Sequence, residues 1–272
     1  MLTFAPSLRR LLRRSDARYD YYAAQYQART PAARAWYLAF YLLPGLLVYA
    51  AINVAPVYAA GLRLTGLAGP VYQYAWLIGI TYGWHLLLPV LVLRYADGLP
   101  WRDIPDFLGL RRPDWAGCTW LLLLVFVVFT LLTLPYMRYV QQPLYQWLDQ
   151  VPAFRIPAYS IFKSAEALYG FPPVWLALLL IGNFVGEEVY FRGYLQKKSA
   201  FLGRWNVPVN GVLFAVYHFF QIPQTWPLVV PTLIFPLLMH WRKSLYVVIL
   251  FHLLINLGWS AVVQWALYGG GQ

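Results

Sequence analysis

Residues Cys118–Met137 run for a bilayer's width without a charged side chain. A helix needs about 20 predominantly apolar residues to cross the hydrocarbon core. Only helices and closed barrels satisfy their backbone polar groups there. Comparable apolar runs recur along the chain. The composition agrees: 61% of residues are hydrophobic and only 11% charged, against about 25% charged in soluble domains. These runs predict an all-α, polytopic integral membrane helical bundle of about seven (six to eight) transmembrane helices.

The predicted spans are residues 36–60, 71–93, 118–137, 174–194, 207–220, 227–240 and 245–267. The sixth carries Pro227, Pro231 and Pro236 and should be kinked or broken. Residues 94–115, polar and Pro-bearing, read as an interfacial stretch with a short helix and a turn. Residues 138–173 carry five prolines and several charges, which predicts an interfacial or partly re-entrant connection. Residues 1–35 form an Arg-rich cytoplasmic arm. Within it, Leu8, Leu11 and Leu12 lie between arginines in a pattern suited to an amphipathic helix on an anionic leaflet. Residues 36–272 form one transmembrane domain. The single Cys118 excludes a disulfide framework and reads as a small core residue.

The net charge of +11 could suggest nucleic acid. Its placement points to membrane topology instead. With seven spans, 17 of the 21 Lys and Arg fall on the side of the N-terminus and four on the other. The positive-inside rule then puts the N-terminus in the cytoplasm and the C-terminus outside. No nucleic-acid partner is expected; the partners are the lipid bilayer and a membrane substrate. Oligomeric state is not legible.

Against this background Glu187, Glu188 and Arg192 stand out, because each charged group within a span costs about 2.5–3.5 kcal/mol on insertion scales. No Asp or Glu follows Glu188. Glu188 and Arg192 are four residues apart and can pair on one helix face. Glu187 is turned about 100° away and shares its face with Asn183. His218 and His252 lie in later spans, with Asn256 one turn beyond His252. Counted from the span ends, the carboxylate, two imidazoles and carboxamide occupy overlapping layers of the inner half of the membrane. Taken singly, each polar group could be a packing residue. His85 and Gln221 read as supporting or packing residues, and His240 as interfacial.

These residues resemble the three motifs of the CPBP (CAAX protease and bacteriocin-processing, Abi) family of intramembrane glutamic-type proteases. The first motif, EExxxR, is matched by Glu187, Glu188 and Arg192; the second, FxxxH, by Phe214 and His218; the third, HxxxN, by His252 and Asn256. The similar region covers about residues 115–262. The resemblance implies that Glu187 activates a water with help from His218. His252 and Asn256 would stabilise the oxyanion, while Glu188 and Arg192 hold the site in shape. It further implies endoproteolysis of a membrane-anchored or lipid-modified peptide or protein near the cytoplasmic leaflet, in a bacterial cytoplasmic (inner) membrane. Metal stays open: Glu187 can activate water without one, and Glu187, His218 and His252 could make a His₂Glu zinc set. Two alternatives stay open: a non-catalytic immunity or scaffold protein of the same fold, and a proton-coupled transporter.

Overall fold

The computed structural model describes residues 12–26, 31–163, 170–221 and 232–259, and among these it is helical with no strand. Four helices are long and apolar enough to cross a membrane: Arg34–Asn53, Gly69–Ala96, Gly117–Gln150 and Pro173–Lys198. In chain order we name α1 (Ala17–Ala24), α2 (Pro31–Asn53), α3 (Ala55–Thr65), α4 (Gly69–Ala96), α5 (Ile104–Leu108), α6 (Gly117–Gln150) and α7 (Pro173–Lys198). Shorter apolar helices follow: α8 (Asn206–Tyr217), α9 (Ile234–Arg242) and α10 (Leu245–Gly258).

Local sequence explains where these helices stop. The expected first span does not reach residue 60. Val54 is extended and Pro56 opens a new helix, α3, so α2 ends at Asn53. Proline has no amide to continue the ladder and disfavours a helical residue before it. At the far end of α3, Gly66 takes the left-handed conformation that closes a helix without a Cβ penalty. The expected short helix and turn are present, with a turn of 3₁₀ helix at Trp101–Asp103 leading into α5.

Residues 138–150 depart from expectation. They are a continuation of α6, not an interfacial connection. Pro143 falls in the first turn of a straight segment, Gln142–Gln150. The turn before it, Met137–Gln141, widens to i→i+5 bonding and absorbs the irregularity. The described part of the connection, to Lys163, is then loop and 3₁₀ turns anchored on α4. There the Gln73 carboxamide donates to the Tyr159 carbonyl and accepts from the Ile161 amide, each at 2.9 Å. Prolines 227 and 231 lie outside the described residues; Pro236 is within α9.

The helices fall into two directions. α2, α6, α8 and α10 run away from the basic end, and α4, α7 and α9 return toward it. Cross-contacts fix this arrangement. Tyr37 meets Asn210 near one end, and Asn53 reaches the Phe220 carbonyl near the other. Tyr82 bonds the Leu178 carbonyl, while His85 stacks on Tyr190 further down. α4 and α7 approach closely because Gly182 and Gly186 have no Cβ. A methyl at either would lie 2.5 Å from Thr81 Oγ1 or 2.7 Å from its carbonyl oxygen.

The basic end is tied together by ion pairs. Arg242 donates to both oxygens of Asp114 at 2.6 and 2.7 Å. Arg18 and Arg111 share Asp106, and Lys243 bonds Asp20. The described part of the arm is thus docked on protein. Asp16 caps α1, the Arg14 amide bonds the Trp241 carbonyl, and Tyr19 lies 3.9 Å from the buried Lys197 ammonium. Leu8 and Leu11 of the expected amphipathic pattern lie outside the described residues.

Candidate active site

Glu187 and Glu188 sit mid-way along α7, where the helix widens to i→i+5 bonding from Gly182 to Leu195. Such widened turns recur at functional sites. Both residues are buried, at 3% and 0% exposure, and their side chains diverge as the helical rotation requires.

Glu188 faces a closed polar knot. Its Oε1 accepts from Arg192 Nη1 at 3.2 Å and from His252 Nδ1 at 2.8 Å. The Arg192 guanidinium lies over the Phe214 ring at 3.7 Å and the Phe235 ring at 4.6 Å. A desolvated cation gains from such aromatic faces. Phe214 therefore serves two motifs: its ring covers Arg192, and its carbonyl receives His218 Nδ1 at 2.8 Å.

Glu187 faces a cavity of about 760 Å³ that is also lined by Asn183, His218, His252 and Asn256. Glu187 Oε1 lies 3.6 Å from His218 Nε2. A carbonyl only accepts, so the Phe214 contact puts a proton on His218 Nδ1. The other ring nitrogen, Nε2, faces the carboxylate. At 3.6 Å the two are too far apart for a good direct hydrogen bond and close enough to share a bridging water. Glu187 Oε2 is buried without a hydrogen-bond partner. Asn256 Nδ2 donates to Asn183 Oδ1 at 2.9 Å, which joins α10 to α7 at the same wall.

All four expected catalytic positions therefore line one cavity, as do Phe214 and Asn183, while Glu188 and Arg192 lie behind its wall, bonded to and covered by the lining residues His252 and Phe214. Two groupings could not be read from spacing. His252 pairs with Glu188, not with Glu187, and Asn256 pairs with Asn183. Sequence reasoning also missed Tyr217, whose Oη lies 3.4 Å from His85 Nε2, and Gln141, which lines the cavity from the unexpected extension of α6. A polar residue just past an apolar run was the only signal for Gln141. Gln221 is also on the wall, and His85 is fully buried against Tyr190 and Tyr217.

Among the described residues no group of three His, Cys, Asp or Glu is gathered as a metal set; the His252 Nδ1 contact with Glu188 leaves its Nε2 free to ligate.

With the geometry established, the comparisons give a family. Residues 169–258 match the model of the type II CAAX prenyl endopeptidase Rce1-like family. That stretch holds all three motifs, and over it the chain is similar to this CAAX endopeptidase family, as the motif resemblance implied. The match is narrower than the expected 115–262 and leaves out α6. No curated protein and no solved structure matches the chain.

Proposed function

We propose that this chain is an intramembrane endopeptidase that hydrolyses a peptide bond in a membrane-anchored or lipid-modified polypeptide by a glutamate-activated water. The supporting observation is the Glu187–His218 pair: a buried carboxylate, open to a cavity and 3.6 Å from an imidazole whose other nitrogen is held by a carbonyl. Water placed between them loses a proton to Glu187 as its oxygen bonds the scissile carbonyl carbon. The carbonyl oxygen takes the charge. Asn256 Nδ2 and the His252 ring, both on that wall, are the proposed donors. Collapse of the intermediate breaks the C–N bond, and the proton passes through Glu187 or His218 to the leaving amine. Donors fixed around a developing oxyanion are worth about 10²–10³ in rate each. Glu188 and Arg192 act as positioning residues: they fix the ring of His252 and the wall beneath it. No step is routed through a metal.

The test is mass spectrometry of membrane peptides and lipoproteins from cells carrying wild type, Glu187→Gln or His218→Ala, against a deletion strain. A peptide processed only with wild type, at equal protein levels, is the expected result. Point variants that behave as wild type would sink hydrolysis and leave a scaffold. Proton-coupled flux retained with hydrolysis absent would point to a transporter.

A further inference from the structure

The cavity has a direction. On α7 its lining residues are Leu176, Leu179, Leu180, Asn183 and Glu187, and none comes after Glu187. Leu176 lies about 16 Å beyond Glu187 at 1.5 Å per residue. On α6, which runs the other way, the wall is the stripe Phe129, Thr133, Met137, Gln141, along the middle of the helix. α8 contributes only its last turn and the residues after it, through Gln221, and α10 contributes from His252 onward. Helices of both directions thus line the cavity mostly at or beyond the level of Glu187, on the side away from the basic end, and the Phe214 and Phe235 rings that cover Arg192 form its floor.

Toward the basic end the path is closed. Glu188 to Leu195 are all buried, Arg192 is 1% exposed and Lys197 1% exposed. The arm lies across this end through Tyr19 and Tyr22, which flank the Lys197 ammonium. Arg14, Arg18, Arg94, Arg111, Arg112, Lys198, Arg204 and Lys243 cluster at the same end by chain direction and ion pairing, while Arg63, Arg138, Arg155 and Lys163 lie at the other. By the positive-inside rule the closed, basic end faces the cytoplasm.

We infer that the site receives its substrate from the non-cytoplasmic side, as an apolar-anchored polypeptide whose scissile segment enters the outer half of the bilayer. This rests on the hydrolytic reading above and reverses the access expected from counting depth along the spans. The walls fit such a substrate. Leu176, Leu180 and Met137 offer apolar surface, while the Gln141 carboxamide oxygen is buried without a partner and can accept a backbone amide.

The experiment uses the full-length chain with Cys118→Ser and one new cysteine, either Gln141→Cys in the cavity or Arg112→Cys at the basic end. Each is treated with a membrane-impermeant maleimide in right-side-out and in inverted vesicles. We expect Arg112→Cys to label in inverted vesicles only, and Gln141→Cys to label at least tenfold faster in right-side-out vesicles. Gln221→Cys, on another helix of the same wall, replaces Gln141→Cys if that variant is not recovered folded. Labelling of cavity and basic end from the same face overturns the inference. So does a cavity cysteine that reacts only after detergent. Labelling does not depend on turnover, so it stands apart from catalysis. In the peptide comparison of wild type with Glu187→Gln, cleavage sites should map to non-cytoplasmic segments. Sites in cytoplasmic segments overturn the inference. No Glu187-dependent site, with the labelling pattern intact, sinks the hydrolytic reading alone.

Discussion

Glu187 and Glu188 are neighbours in sequence and belong to different halves of the molecule. The basic half answers its charges with opposite charges: Glu188 with Arg192 and His252, Asp114 with Arg242, Asp106 with Arg18 and Arg111. The cavity half keeps a carboxylate that, among the described residues, meets an imidazole at 3.6 Å, and there it leaves Glu187 Oε2 and Gln141 Oε1 buried without partners. A buried polar atom without a partner costs about 1–3 kcal/mol. One half spends its charges on shape, and the other holds a destabilised group where a substrate can reach it. Removing charge should therefore cost structure in the first half and chemistry in the second.

The sharpest division is at Glu187. Replacing it with Gln keeps the volume and removes the base, so turnover should fall by about 10²–10⁴, the range for a positioned acid–base group. Thermal stability should hold or rise, because a buried charge is removed. A turnover assay beside a melting curve checks both. A variant that loses stability in step with activity would erase the contrast with Glu188. At Glu188 the expected result is the reverse. Glu188→Ala leaves Arg192 buried without its carboxylate, a loss of about 3–5 kcal/mol. It should reduce the folded yield in detergent before any kinetic effect can be measured. Glu188→Gln, which keeps one acceptor, should recover part of the yield.

The divergence of the two carboxylates was legible in the sequence, since adjacent helical residues must face apart, and so was the set of polar residues too costly to be incidental in a membrane. Their partners were not. His252 and Asn256 share a face with each other, but whether that face meets Glu187, Glu188 or Asn183 depends on how α10 is rotated against α7. No spacing encodes that rotation. The reach of α6 was hidden because Pro143 reads as a helix stop. The widened turn at Met137–Gln141 makes it a helix start instead. That misreading also concealed Gln141 and, with it, the direction of the cavity. The helical, membrane-spanning class followed from composition and run length alone, whereas the position of the arm depends on tertiary ion pairs that no local pattern announces.

Asn256 sharpens the contrast from within the cavity half. Asn256→Ala removes one donor from the proposed oxyanion site and should lower kcat by about 10²–10³ with little change in KM. Asn183→Ala removes only the acceptor that orients Asn256, so its effect on kcat should be smaller. Steady-state kinetics on both variants reads the difference. Equal losses would make the Asn183–Asn256 contact a structural clasp and not a substrate contact.

The smallest effect tests the basic half by pH. Burial pushes the Asp114 carboxyl up. The hydrogen bonds from Arg242 and the Gly117 amide, with the Arg242 charge, more than reverse this, so it lies below its usual value. A carboxyl depressed in the folded state adds stability that is fully present above its unfolded pKa, about 3.9. That stability is lost as pH falls through the folded value. Asp114→Asn should therefore melt lower than wild type at neutral pH, by an amount reflecting about 1.5–3 kcal/mol for charge-assisted hydrogen bonds. The two melting curves should converge as pH drops below about 4, while turnover at neutral pH is retained, because Asp114 lies at the closed end, far from Glu187. A gap that stays constant down to low pH would mean that packing, not ionisation, holds Arg242 in place. A loss of turnover at neutral pH in a folded variant would mean that the two halves are coupled more tightly than their separate polar networks imply.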